Sequence, residues 1–206
     1  MVRVELKCQS DFSDIALVFN HLLDSFELEL REKVRLVRRV LSMHHLMFTV
    51  LTLTGFRGVL NYRSTTSLKS QLREEHKRSG RAGKPSPFGY IWARERVTGE
   101  RPHYHLVLLF NKDVYGYLGD YSKPDADNMG TRIQKAWCSA IGLEYPYYAS
   151  RVEFPENHSA WFTRQDALTL SPDYYDFLLR VAYMAKEYSK DFHDGYRNFG
   201  TSQLLV

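Results

Sequence analysis

Cysteine is scarce in this chain: two occur among 206 residues, Cys8 and Cys138, far apart and in no Cys-x-x-Cys pair. That scarcity excludes a disulfide framework and a thiolate zinc site, and it implies a reducing compartment. No apolar run approaches the ~20 residues needed to span a bilayer, and the opening Met1-Val2-Arg3-Val4-Glu5 lacks the basic-then-apolar layout of a signal peptide. A cytoplasmic protein with no membrane partner is expected. A Gly-x-x-x-x-Gly-Lys-Ser/Thr loop is also missing, so strand separation of any duplex substrate would fall to other proteins. Charge of one sign is only slightly in excess: 28 basic against 24 acidic side chains give +4 and a pI near 9.0, which suits a nucleic-acid partner without demanding one.

What the chain does have is aromatic surface, with 14 Tyr, 12 Phe and 3 Trp. With 44% hydrophobic and 25% charged residues it has the composition of a soluble globular protein built around one main core. From Ile15 to about Met43 the apolar spacing predicts helix, and residues 1–45 read as an N-terminal helical segment packed on or preceding a main domain of residues 46–206. The run MFTVLTLT over 47–54 predicts a strand, and residues 64–78 a helix that starts on Ser and Thr and stops before Gly80. The stretch SGRAGKPSP over 79–87 predicts a loop. Residues 88–96 and 103–110 predict an antiparallel hairpin turning about Gly99, followed by a helix over 125–141 stopped by Gly142. A short strand over 148–154 and a helix over 173–190, opened by Ser171-Pro172, complete the series. Strand, helix, strand, strand, helix, strand defines an α+β protein with a split βαβ antiparallel sheet of the ferredoxin or RNA-recognition-motif type.

Two clusters carry chemistry. His103 and His105 are two apart in a strand, so their imidazoles share one face of the sheet. A turn centred on Gly99 sets Glu95 opposite His103 and the small Ala93 opposite His105. Two imidazoles and a carboxylate hold a divalent cation while leaving positions open for substrate; a pair of satisfied histidines near a sheet edge is the alternative. In the second cluster, Tyr183 and Lys186 lie three apart on the late helix, where a phenol and an ammonium approach one phosphate together. A phenol of pKa about 10 needs such a cation, or a metal-polarised phosphate, to act as a nucleophile. Tyr188, five residues further on, is the alternative nucleophile. His21, His44, His45, His76, His158 and His193 lack ligand spacing and read as packing or surface residues.

The strand with LTLT, the hairpin with Glu95, the His103-Tyr104-His105 triplet and the later Tyr183-x-x-Lys186 resemble the HUH endonucleases, specifically rolling-circle replication initiators. More narrowly, WARERVTGERPHYHLVLLFN over 92–111, Tyr183 to Lys186 and RNFGTS over 197–202 are similar to the inovirus gene-II-type replication proteins and their YagK/YfjJ-like prophage relatives. The resemblance implies single-strand nicking and joining of DNA. Tyr183 would become linked to a 5′ phosphate and free a 3′ hydroxyl, Lys186 would steady the phosphate or the phenolate, and Mg²⁺ or Mn²⁺ would sit on Glu95, His103 and His105. It further implies single-stranded or locally melted origin DNA as substrate, with a host helicase and polymerase as partners. Arg78, Arg81 and Lys84 would hold the DNA backbone. Two other readings stay open: the same nicking chemistry used in transposition or plasmid mobilisation, and a metal-free module, or a prophage relic, that binds single strands or partners without cutting.

Overall fold

The structure is a computed structural model, and it describes residues 46–54, 60–96, 102–156, 158–184 and 189–202. The helix expected over 15–43 lies outside them. The described residues fall into two compact units, one of residues 46–161 and 189–202, the other of residues 162–184.

The first unit is built on β1 (Leu46–Thr54), α1 (Leu60–Arg78), β2 (Gly89–Glu95), β3 (His103–Asn111), α2 (Met129–Ile141), β4 (Val152–Glu153), all but the last residue of β5 (Ser159–Phe162), and β6 (Phe199–Thr201). The strands form one sheet in the order β4-β1-β3-β2-β6, with β5 also on β1. Every pairing along that order is antiparallel, so the protein is α+β. Alternation along β3 divides its side chains between two faces. Tyr104, Leu106, Leu108 and Phe110 join Leu68 and Leu72 of α1 and Ile133, Ala136 and Trp137 of α2 in the main core. His103 and His105 stand on the other face, ahead of the buried Val107 and Leu109.

Several elements differ from expectation for identifiable reasons. Helix α1 begins at Leu60 rather than at Ser64, because Ser64 and Thr65 are buried against the core instead of capping the helix. Helix α2 begins at Met129, where Asn128 accepts from the Thr131 amide in a capping box; Asp127, on the approach, instead pairs with Arg78 and Arg132. Its end is the expected one, at Gly142 with φ 70°. The strand expected over 148–154 is a 3₁₀ turn at Ala149–Arg151 followed by the two residues of β4.

The second unit holds α3 (Arg164–Thr169), opened by a capping box of Thr163 and Asp166, and α4 (Pro172–Met184). Pro172 is the first helical residue of α4, as the Ser171-Pro172 start predicts, and Tyr174, Phe177, Leu178, Val181 and Met184 form its buried face. The helix expected to run to Lys190 does not reach it, because Ser189 stands in a turn. There the Ser189 carbonyl accepts the Arg96 amide at 2.8 Å, and a pairing with β2 replaces further helix.

Candidate metal centre

The site is made by the β2–β3 ladder, whose register pairs Glu95 with His103 and Ala93 with His105. This is the register that the turn at Gly99 predicts. Glu95, His103 and His105 therefore share one face, and Ala93 adds no bulk beside them. The Nε2 atoms of His103 and His105 lie 3.4 and 3.2 Å from Glu95 Oε2. Their rings stand edge to face with centroids 5.1 Å apart. One ligand atom from each of the three residues falls within 4.8 Å of the others, a spread that two metal–ligand bonds of ~2.1–2.4 Å can bridge. The donor chemistry fits a divalent cation.

Burial grades across the cluster. The Glu95 side chain is 2% exposed, while those of His105 and His103 are 20% and 31% exposed. The carboxylate forms the floor and the imidazoles form a rim open to solvent. Burial of Glu95 opposes its ionisation, but hydrogen bonds from His105 and Lys190, together with the Lys190 charge, outweigh that and hold the carboxyl well below the usual carboxylate range.

Lys190 is the residue of this site that sequence reasoning missed. Its Nζ donates to Glu95 Oε1 at 2.7 Å and to Ser189 Oγ at 3.1 Å, and its side chain is fully buried. It arrives on a C-terminal segment strapped to β2. Arg94 donates its amide to the Asn198 carbonyl at 2.8 Å, and Ser202 donates to Tyr90 O at 2.9 Å. Strand β6 pairs Phe199 with Ala93 and Gly200 with Trp92. No local pattern ties a lysine to a carboxylate 95 residues away; only the docking of the strap brings them together.

The remaining candidates lie on other elements. Tyr183 is on α4 in the second unit, its side chain pointing away from the helix's buried face and the residue 51% exposed. Lys186 and Tyr188 lie outside the described residues. Arg78, on the last turn of α1, pairs with Asp127, and Arg81, in the following loop, pairs with Glu75 at 3.4 Å. Lys84 is exposed in the same loop.

An α+β protein with a two-histidine, one-carboxylate cluster on adjacent antiparallel strands is thus the class that fold and site define. The chain belongs to the YagK/YfjJ C-terminal domain family, which it matches over residues 58–202, a span that includes the cluster and Lys190. It is 38% identical over 150 residues to the uncharacterized protein YagK of Escherichia coli (strain K12), covering 71% of this chain and 70% of that one. To the uncharacterized protein YfjJ of the same organism it is 36% identical over 146 residues, covering 68% and 69%. No solved structure matches the chain. Among the described residues, no helix is long and apolar enough to cross a membrane.

Proposed function

We propose that this protein is an HUH-type, tyrosine-dependent endonuclease that nicks and rejoins single-stranded DNA to start rolling-circle replication of a phage, prophage or plasmid element. The observation that carries this reading is the convergence of Glu95 Oε2 with the Nε2 atoms of His103 and His105 on one face of a hairpin. The element order β1-α1-β2-β3-α2-β4 and the neighbours β4-β1-β3-β2 support a ferredoxin-like split βαβ frame beneath it.

In the proposed reaction the Tyr183 phenol loses its proton and its oxygen attacks the scissile phosphorus. The bond to the 3′ oxygen breaks, that oxygen takes up a proton, and a 5′-phosphotyrosine remains beside a free 3′ hydroxyl. Rejoining is the reverse, with a 3′ hydroxyl attacking the phosphotyrosine, so no ATP is consumed. When bound, Mg²⁺ or Mn²⁺ would supply positive charge against the charge that the phosphate gains in the transition state. His103, His105 and Glu95 would hold that ion, and Lys186 would steady the phenolate or the phosphate. Because Tyr183 is exposed, a DNA strand can approach it.

The test is incubation with labelled single-stranded oligonucleotides and Mn²⁺, read on a denaturing gel for protein-linked DNA. An adduct formed by wild type and Tyr188→Phe, and lost in Tyr183→Phe and in His103→Ala/His105→Ala, is the expected result. Single strands bound with equal affinity by all four proteins, and cut by none, would put a binding module in place of the nickase. Oligonucleotides from replication origins, transposon ends and transfer origins would separate the three uses of the same chemistry.

A further inference from the structure

The two oxygens of Glu95 face different partners. Oε2 lies 3.4 and 3.2 Å from the two imidazoles, whereas Oε1 accepts from Lys190 Nζ at 2.7 Å. The ammonium is fully enclosed: besides Glu95 it donates to Ser189 Oγ at 3.1 Å, and it lies 5.2 Å from the centre of the Phe199 ring. The backbone around it is pinned by the Arg96 amide on Ser189 O at 2.8 Å and by Asn198 Nδ2 on Asp191 O at 2.9 Å. Withdrawing both charges from water costs free energy that their mutual attraction seldom returns in full, so a buried pair of this kind is weak support for a purely stabilising role. A pair that merely closed the strap onto β2 would also have no reason to engage a carboxylate that faces two histidines.

We infer that Lys190 is a positioning residue: it occupies Glu95 Oε1, leaves Oε2 as the sole carboxylate oxygen for a divalent cation, and cancels the carboxylate charge. The cation is then held chiefly by imidazole nitrogen. Its own charge is then offset less by Glu95 and more available to a phosphate. Removing the ammonium takes its hydrogen bond off the second oxygen and removes a repulsion, and both changes tighten cation binding. An ammonium ~5 Å from a dication weakens binding by about ten-fold even at the dielectric of bulk water. The inference rests on the metal-binding half of the function proposed above and is independent of strand nicking.

The experiment measures Mn²⁺ affinity and the visible ligand-field spectrum of bound Co²⁺ in wild type, Lys190→Met and Lys190→Gln, without DNA. In Lys190→Met, Mn²⁺ should bind about ten-fold tighter, and the Co²⁺ bands should weaken as Glu95 supplies its second oxygen and the coordination number rises. Glutamine keeps a donor for Oε1 but no charge, so Lys190→Gln should bind tighter while retaining the wild-type Co²⁺ spectrum. Unchanged or weaker Mn²⁺ affinity in both variants, with circular dichroism like that of wild type, overturns the inference. Should Lys190→Met fail to fold, Lys190→Gln decides it alone by its affinity. Should neither fold, the metal-bound minus metal-free infrared difference spectrum of wild type decides, a symmetric–antisymmetric carboxylate splitting of the two-oxygen kind contradicting the inference. Failure of wild type to bind either ion would instead remove the metal reading itself.

Discussion

Arg94 grips Asp194 through two hydrogen bonds, Nη1 to Oδ2 and Nη2 to Oδ1, each 2.7 Å long, on the face of β2 opposite Glu95. The strap that delivers Lys190 to one face of β2 is thus fastened on the other. Arg94 is buried, and its guanidinium also donates to Asn198 Oδ1 and the Asp191 carbonyl. The bonds from Arg94 outweigh desolvation and hold the Asp194 carboxyl below its ordinary range.

Asp194→Asn should therefore destabilise the protein by about 2–4 kcal/mol at neutral pH, by leaving a buried guanidinium without its counter-charge. The folded-state pKa of Asp194 lies below the unfolded value of about 3.9. The contribution of the pair is complete above that unfolded value and disappears as pH falls through the folded one. Urea unfolding of both proteins from pH 7 to pH 2.5 should show a constant stability difference down to about pH 4.5 and a shrinking one below it. A difference that stays constant throughout the range would mean that the Asp194 charge is not what the strap needs.

Gly200 is where β6 crosses the Trp92 ring: a Cβ built there would overlap Trp92 Nε1. Gly200→Ala should cost about 1–3 kcal/mol by overpacking. In a Trp92→Leu background the same change should cost under half as much, because the indole is gone. Chemical denaturation of the four proteins gives the coupling, and additive losses would mean that the clash is relieved elsewhere.

What sequence reveals here is mostly short-range. The alignment of Glu95 with His103 was readable because both strands adjoin one turn and alternation fixes their faces. The ends of α2 and α4 differ in the same respect: Gly142 announces a stop locally, whereas the helical pattern toward Lys190 yields to a hydrogen bond with Arg96 that no local rule contains. Strand β6 is three residues long, too short for any periodicity, and exists because β2 offers an edge. Ser64 and Thr65 misled for the opposite reason, since residues typical of caps are equally at home in a helix face that packs closely on a sheet. Helix α3 did carry a signal, the Thr163-x-x-Asp166 box, that would have located it.

Metal binding can be read through stability. At a free Mn²⁺ concentration one hundred times the dissociation constant, wild type should gain about 2.7 kcal/mol, lost on addition of a chelator. His105→Ala removes one of three candidate ligands and should weaken binding by more than the ~10–100-fold typical of an outer-shell partner. His103→Ala/His105→Ala should show no metal-dependent rise in melting temperature. A rise that survives in the double variant would place the ion elsewhere.

The loop after α1 gives a prediction about DNA that does not depend on cleavage. Arg78 and Arg81 already have the carboxylates of Asp127 and Glu75 beside them, so each must exchange a partner to meet a phosphate, whereas Lys84 is an exposed cation a few residues further on. A contact from Lys84 to a single-stranded backbone releases about 0.7 of a counterion. Lys84→Ala should accordingly reduce the slope of log affinity against log salt by about 0.7 for single-stranded oligonucleotides of any sequence. Arg81→Ala should reduce it by less than half as much, and Glu75→Gln, which frees Arg81, should steepen it. Fluorescence anisotropy across a salt series checks all three. Equal slopes for wild type and Lys84→Ala would take this loop out of the DNA path.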